Sequence, residues 1–242
     1  MTGNHIFVTG GAGYIGSHTV RELLRMKYAV IVYDDLSEGH REFVPDDAVF
    51  IQGNTGDKEQ LERVFNRYPV DTVVHFAGFI SMGESMRNPA RYFHNNVGDT
   101  LVLLESMVRH DILKIVFSSS AGVYGNPVHV PIEEGDRTAP TNPYGESKLM
   151  IENCLKWYDI CHGMKSISIR YFNAAGASPE PGLGEAHRDE SHIIPLAILT
   201  ALGRRGIQRR YRSRVLQPGD YRHGQERYRS ELSRGNRAPA AW

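Results

Sequence analysis

The chain has 242 residues, of which 40% are hydrophobic and 23% charged, and its formal net charge is zero. That length suffices for one large domain, or for one domain and part of a second. The totals point to no nucleic acid and no membrane, since no stretch approaches the roughly 18 apolar residues of a spanning helix. Met1 is followed by no basic-then-apolar leader, and Cys154 and Cys161 form neither a disulfide framework nor a metal-binding pair. A cytoplasmic, reducing setting is therefore expected.

In chain order, apolar runs of strand length alternate with periodic, helix-length segments. The pattern predicts a strand over Ile6–Thr9, a helix over Tyr14–Met26, a strand over Ala29–Asp34 and another over Ala48–Gly53. A polar helix is expected over Asp57–Arg67, then a strand over Asp71–Ala77 and one long helix over Pro89–His110. A fifth strand is expected over Ile112–Ser120, a helix over Pro143–Cys161 and a sixth strand over Lys165–Phe172. Near-continuous apolar strands separated by helices imply an α/β fold, a Rossmann-type doubly wound parallel sheet covered on both faces. In such a sheet ligands bind outside the C-terminal strand ends, where Asp34, Ser120 and Asn173 fall.

The first of those ends carries Gly10-x-x-Gly13-x-x-Gly16, after a strand and at the opening of a helix. Gly10 suits a tight turn, Gly13 a close approach to a pyrophosphate and Gly16 close helix packing. Free N–H groups at the helix start favour phosphate. A mononucleotide P-loop is disfavoured because Ser17-His18 stands where Lys-Ser/Thr is needed. Asp34, eighteen residues past Gly16, suits two ribose hydroxyls and repels a 2′-phosphate, so NAD is expected over NADP.

Tyr144 and Lys148 lie four apart, on one face of a helix, and Ser118–Ser120 end a strand. Tyrosine is a poor base at neutral pH, with a reference pKa of about 10. A neighbouring ammonium and a positive nicotinamide ring both favour the phenolate. Ser120 can then hold a substrate alcohol that loses its proton to Tyr144 while hydride leaves carbon.

Several runs carry a family resemblance in order and with matching spacing: TGGAGYIGSH from Thr9, HFAG from His75, GES from Gly83, NNV from Asn95, SSSAGVYG from Ser118, PYGESK from Pro143, RYFNAAGA from Arg170 and SHIIPLAI from Ser191. Over roughly residues 5–205 the chain resembles the extended short-chain dehydrogenases/reductases, and within them the UDP-glucose 4-epimerase family. The resemblance implies NAD held as a prosthetic group, epimerisation at C4 of a UDP-hexose through a 4-keto intermediate, and a homodimer built on the two long helices. It makes Tyr144 the acid/base, Lys148 its tuner and ribose anchor, and Ser120 the orienter of the sugar hydroxyl. Contacts to NAD are implied for Gly10, Gly13, Tyr14, Ile15, Gly16, Asp34, Asn54, Thr55, Phe76, Ala77, Gly78, Asn95, Lys148 and Tyr171. Substrate contacts are implied for Ser120, Tyr144, Asn173 and His192. Three positions depart from the family's habit: Asn54 replaces an Asp, Asp35 replaces an Asn, and Ile80 replaces a Lys.

Competing readings can be weighed. Sugar-nucleotide dehydratases need an acid pair where Ala121 and Gly122 stand. A simple oxidoreductase releases its cofactor at each turnover, and a non-catalytic NAD-binding fragment turns over nothing. His75, His94 and His192 match no zinc spacing, so no metal is expected, and His75 reads as a core residue. The expected domains are 1–177 for NAD, 178–205 as the beginning of a small C-terminal substrate domain, and 206–242 as an atypical tail. From Arg204 onward eleven arginines meet only Asp220, Glu226 and Glu231, with no lysine. That composition suits a shifted reading frame better than a nucleic-acid arm.

Overall fold

The computed structural model describes residues 4–178, 182–186 and 192–203. One sheet contains β1 (His5–Thr9), β2 (Ala29–Asp34), β3 (Val49–Gln52), β4 (Val70–His75), β5 (Lys114–Ser118) and β6 (Lys165–Ile169). The order is β3-β2-β1-β4-β5-β6 and every neighbouring pair is parallel. This is the doubly wound order. The winding reverses between β1 and β4, and the strand ends there open a crevice.

Successive side chains on a strand face opposite sides of the sheet, and both sides here are covered. Phe7, Ile31, Tyr33, Val73, Ile115 and Phe117 join Leu61, Phe65, Leu103, Met107 and Leu155 in one core. Val8, Val30, Val32 and Val74 join Val20 and Val44 in the other. The first core takes its helical half from α2 (Lys58–Arg67), α5 (Asp99–Arg109) and α6 (Pro143–His162). The second takes Val20 from α1 (Tyr14–Arg25). Asp57 accepts a hydrogen bond from the Gln60 amide (2.9 Å) and so caps α2. Asn142 caps α6, with Pro143 in its first turn and Gly163 in the left-handed conformation at its end.

The expected single helix over residues 89–110 is three pieces. These are α4 (Pro89–Tyr92), a π-helical stretch over Phe93–Gly98, and α5. A short α3 (Met82–Ser85), capped by Ser81, precedes them and is too short to leave a periodic trace. β5 stops pairing at Ser118, two residues before its expected end. Ser120 instead accepts from the Gly122 amide (3.0 Å) and caps a 3-10 turn over Ala121–Tyr124. β6 likewise ends at Ile169 rather than at residue 172.

The chain divides into two units, Met1–Arg188 and Asp189–Trp242, and the sheet belongs to the first. In the second, the described residues form α7 (Ile193–Ala201), apolar nearly all round and therefore without a readable period, closed by Gly203 at positive φ. The Arg-rich segment and both readings of it lie outside the described residues. Among the described residues, no helix is long and apolar enough to cross a membrane.

Candidate functional site: a dinucleotide crevice with a Ser-Tyr-Lys centre

The glycine turn links β1 to α1 at the crevice. Gly10 sits at φ +67, and a Cβ there would meet the Ala77 backbone nitrogen at 2.6 Å. A Cβ on Gly16 would lie 2.1 Å from the Gly10 carbonyl oxygen, so α1 can begin where it does only with glycine there. Gly13 is less confined, its nearest neighbour being the Gly10 oxygen at 3.3 Å, and no side chain caps the helix it opens. The first-turn N–H groups of α1 therefore face the crevice with a partial positive charge. These features fit a bound pyrophosphate.

Asp34 ends β2 and is buried. Its Oδ2 accepts from the Ala12 amide and its Oδ1 from the Leu36 amide, both at 2.9 Å. Burial pushes its carboxyl above the usual range, and the two amides pull it back. Each oxygen keeps a further lone pair for a ribose hydroxyl. Tyr14 and Ile15 line a cavity of about 260 Å³ with His18 and Ala174–Ala177. The Tyr14 hydroxyl donates to the Gly176 carbonyl at 2.7 Å.

After β4, the Phe76 amide donates to the Thr9 carbonyl (3.0 Å) and Gly78 takes φ +146. Asn96 fixes this loop: its Oδ1 accepts from the Phe79 amide (2.8 Å), and its Nδ2 donates to the Phe79 carbonyl and to Ser147 Oγ, each at 3.0 Å. Next to it, the expected cofactor residue Asn95 donates to Asp99 (3.1 Å). Sequence reasoning singled out Asn95 and missed Asn96, whose partners lie 17 and 51 residues away.

Ser120, Tyr144 and Lys148 come together at the end of β5. The Lys148 ammonium is fully buried and donates to the Ser118 carbonyl at 2.9 Å, with Nζ 5.9 Å from the centre of the Tyr144 ring. Burial lowers its pKa to about 8. Burial raises that of Tyr144, and a hydrogen bond from Ser120 works the other way. In the chain alone, desolvation of the phenol dominates its pKa. Tyr171 lies alongside: its hydroxyl contacts Ser118 Oγ, and its carbonyl accepts from the Ala121 amide at 2.9 Å.

An ion pair supports this centre. Glu152, one turn beyond Lys148 on α6, takes both arms of Arg170 (2.6 and 2.9 Å) and the Ser119 hydroxyl. Arg170 also donates to the Tyr124 hydroxyl at 2.9 Å. Sequence reasoning missed this node, although Arg170 opens the RYF run and Glu152 follows YGESK by four residues.

Comparison with known proteins bears directly on this arrangement. Residues 6–220 match the model of the NAD dependent epimerase/dehydratase family. This chain belongs to that family. It is 50% identical over 204 residues to the UDP-glucose 4-epimerase of Lacticaseibacillus casei, covering 84% of this chain and 62% of that protein. Identity to the UDP-glucose 4-epimerase of Halalkalibacterium halodurans is also 50%, over 200 residues, with 83% and 60% covered. Among solved structures, the Brucella ovis UDP-glucose 4-epimerase in complex with NAD superposes with a TM-score of 0.83 at 41% identity. That match covers 85% of this chain and 63% of that one. The Bifidobacterium longum enzyme in complex with NAD+ and UDP gives a TM-score of 0.80 at 37% identity, with 84% and 64% covered. The chain therefore spans about 60% of the length of these relatives.

Within this family frame, two of the three departures face one another. Asn54 Nδ2 donates to Asp35 Oδ2 at 3.1 Å, so the side chains at these two positions hydrogen-bond to each other. Asn54 Oδ1 accepts from the Gly56 amide (2.8 Å), beside the buried Thr55. Ile80, the third, is exposed. Asn173 is exposed at the end of the RYF run. His192 precedes α7 in the second unit.

Proposed function

We propose that the chain binds NAD in the β1–β4 crevice and carries the chemical centre of a UDP-hexose 4-epimerase. The observation that supports this most strongly is the meeting of Ser120, Tyr144 and Lys148 at the end of β5, beside a glycine turn and Asp34 suited to NAD. Half-identity to UDP-glucose 4-epimerases supports the same reaction. The pyrophosphate lies on the turn of Gly10, Gly13, Tyr14, Ile15 and Gly16, and the adenosine ribose on Asp34. Asn54, Thr55, Phe76, Ala77, Gly78, Asn95 and Tyr171 border the rest, and Lys148 holds the nicotinamide ribose. Bound NAD supplies a reversible hydride acceptor.

As its phenolate, Tyr144 would take the proton from the C4 hydroxyl as the sugar is oxidised, and would return it to the oxygen of the 4-keto sugar as that sugar is reduced. Ser120 holds that oxygen throughout, and Asn173 reaches the substrate. The low-dielectric surroundings of Lys148 place its positive charge where a phenolate gains most from it. We further propose that the protein is cytoplasmic and that two copies pair through the outer face of α6, where Trp157 (62%) and Ile160 (63%) are exposed.

The test is conversion of UDP-galactose to UDP-glucose by purified protein without added cofactor. Tyr144→Phe should lower it about 10³-fold while leaving NAD binding intact. Turnover only with added NAD and net oxidation of the sugar would favour the oxidoreductase reading. NAD binding with no conversion would favour a cofactor-binding fragment.

A further inference from the structure

His75 is a fully buried histidine at the end of β4, between the glycine turn and α5, and the chemistry above does not use it. Its Nδ1 lies 2.7 Å from Thr9 Oγ1 and its Nε2 lies 2.8 Å from Thr100 Oγ1. Thr100 spends its only hydroxyl proton on the Asn96 carbonyl at 2.5 Å. It can therefore only accept from His75, so Nε2 carries the ring proton. In a neutral imidazole Nδ1 is then an acceptor, and Thr9 must donate to it. The Thr9 oxygen in turn accepts from the Ala77 amide at 3.4 Å. Every hydrogen in this chain has one possible direction.

The two ends of the chain are the two walls of the crevice. Thr9 immediately precedes Gly10. Asn96 holds the Gly78–Phe79 loop and Ser147, the neighbour of Lys148. We propose that His75 is a positioning residue: as its neutral Nε2–H form, it joins β1, the loop after β4 and the π-helical stretch into one unit shaped for the cofactor. The claim of a cofactor rests on the NAD reading above; the relay itself does not. Burial holds the ring at about 3, and the nearby Lys148 charge pushes the same way, so the neutral form persists through the physiological range.

The test sets shape against hydrogen bonding. Thr100→Val keeps the outline of the side chain and removes its hydroxyl, whereas Thr100→Ser keeps the hydroxyl and removes a methyl. The relay predicts that in Thr100→Val the Phe79 amide exchanges with solvent at least tenfold faster and the NAD Kd rises about tenfold, with Thr100→Ser within twofold of wild type. The opposite ranking, expected of simple packing, would overturn the proposal. Thr9→Val and Thr9→Ser repeat the comparison should the first pair fold poorly. In the 15N spectrum of cofactor-free, histidine-labelled protein, His75 should show protonated Nε2 and bare Nδ1 from pH 8 to pH 5. A bare Nε2, or titration at the ordinary histidine value, would also overturn it. Spectrum and exchange need no nucleotide, so if wild type bound no NAD, the proposed function would fall and these two readouts would still decide the relay.

Discussion

Burial sets the protonation of the residues that matter most here, and it acts in opposite senses on them. In the chain alone it raises Tyr144, while it lowers Lys148 to about 8 and His75 to about 3. For His75 the consequence for stability has a definite sign. An unfolded chain takes up a proton as pH falls through about 6.5, whereas the folded ring refuses it until about 3. Stability from this group is therefore complete above about 6.5 and declines on acidification towards 3. Between pH 7.5 and pH 5 wild type should lose about 2 kcal/mol more than His75→Phe, since one proton is worth about 1.4 kcal/mol per pH unit. Urea unfolding at the two pH values measures this, and equal losses would contradict the buried neutral ring.

Among the elements, α6 does the most to assemble the site, because one helical face presents Tyr144, Lys148 and Glu152 at four-residue intervals. The last of these ties the helix to the ends of β5 and β6 through Ser119 and Arg170. The Arg170 and Glu152 side chains are only 24% and 10% exposed. Glu152→Gln leaves the guanidinium short of its charge partner and should cost roughly 2–3 kcal/mol of stability. It should also slow conversion of UDP-galactose more than it weakens NAD binding, because the node lies on the Ser119–Ser120 side of the crevice. A denaturation curve and a kcat comparison check both expectations.

The same elements show what was legible in advance. The strands and the glycine turn are local: apolar runs, three glycines at fixed spacing and a carboxylate at a strand end are all read from neighbouring residues. The break of the 89–110 helix did not appear, since one extra residue in a π-helical stretch barely disturbs an apolar pattern. Nor did the partners of Asn96, His75 and Glu152, because each bond joins residues brought together only when the sheet forms. Asn96 and its neighbour Asn95 are chemically identical in the sequence, and only burial separates the buried clamp from the half-buried one.

For the whole molecule, the strand order places the glycine turn, Asp34 and the Ser120–Tyr144–Lys148 group along the C-terminal edge of one sheet in the first unit. All of it lies within about 60% of the length of the related epimerases. The exposed Trp157 and Ile160 should bring two copies together, so sedimentation at micromolar concentration should give about twice the 27.2 kDa chain mass. Trp157→Glu should return it to a single chain.

The most direct test of the account is the nucleotide content of the purified protein, read by titration with NAD and by what denaturation releases. The account predicts one NAD per chain, with affinity lost in Asp34→Ala and preference over NADP. A wild-type chain that folds with native secondary structure yet neither carries nor binds NAD would contradict it.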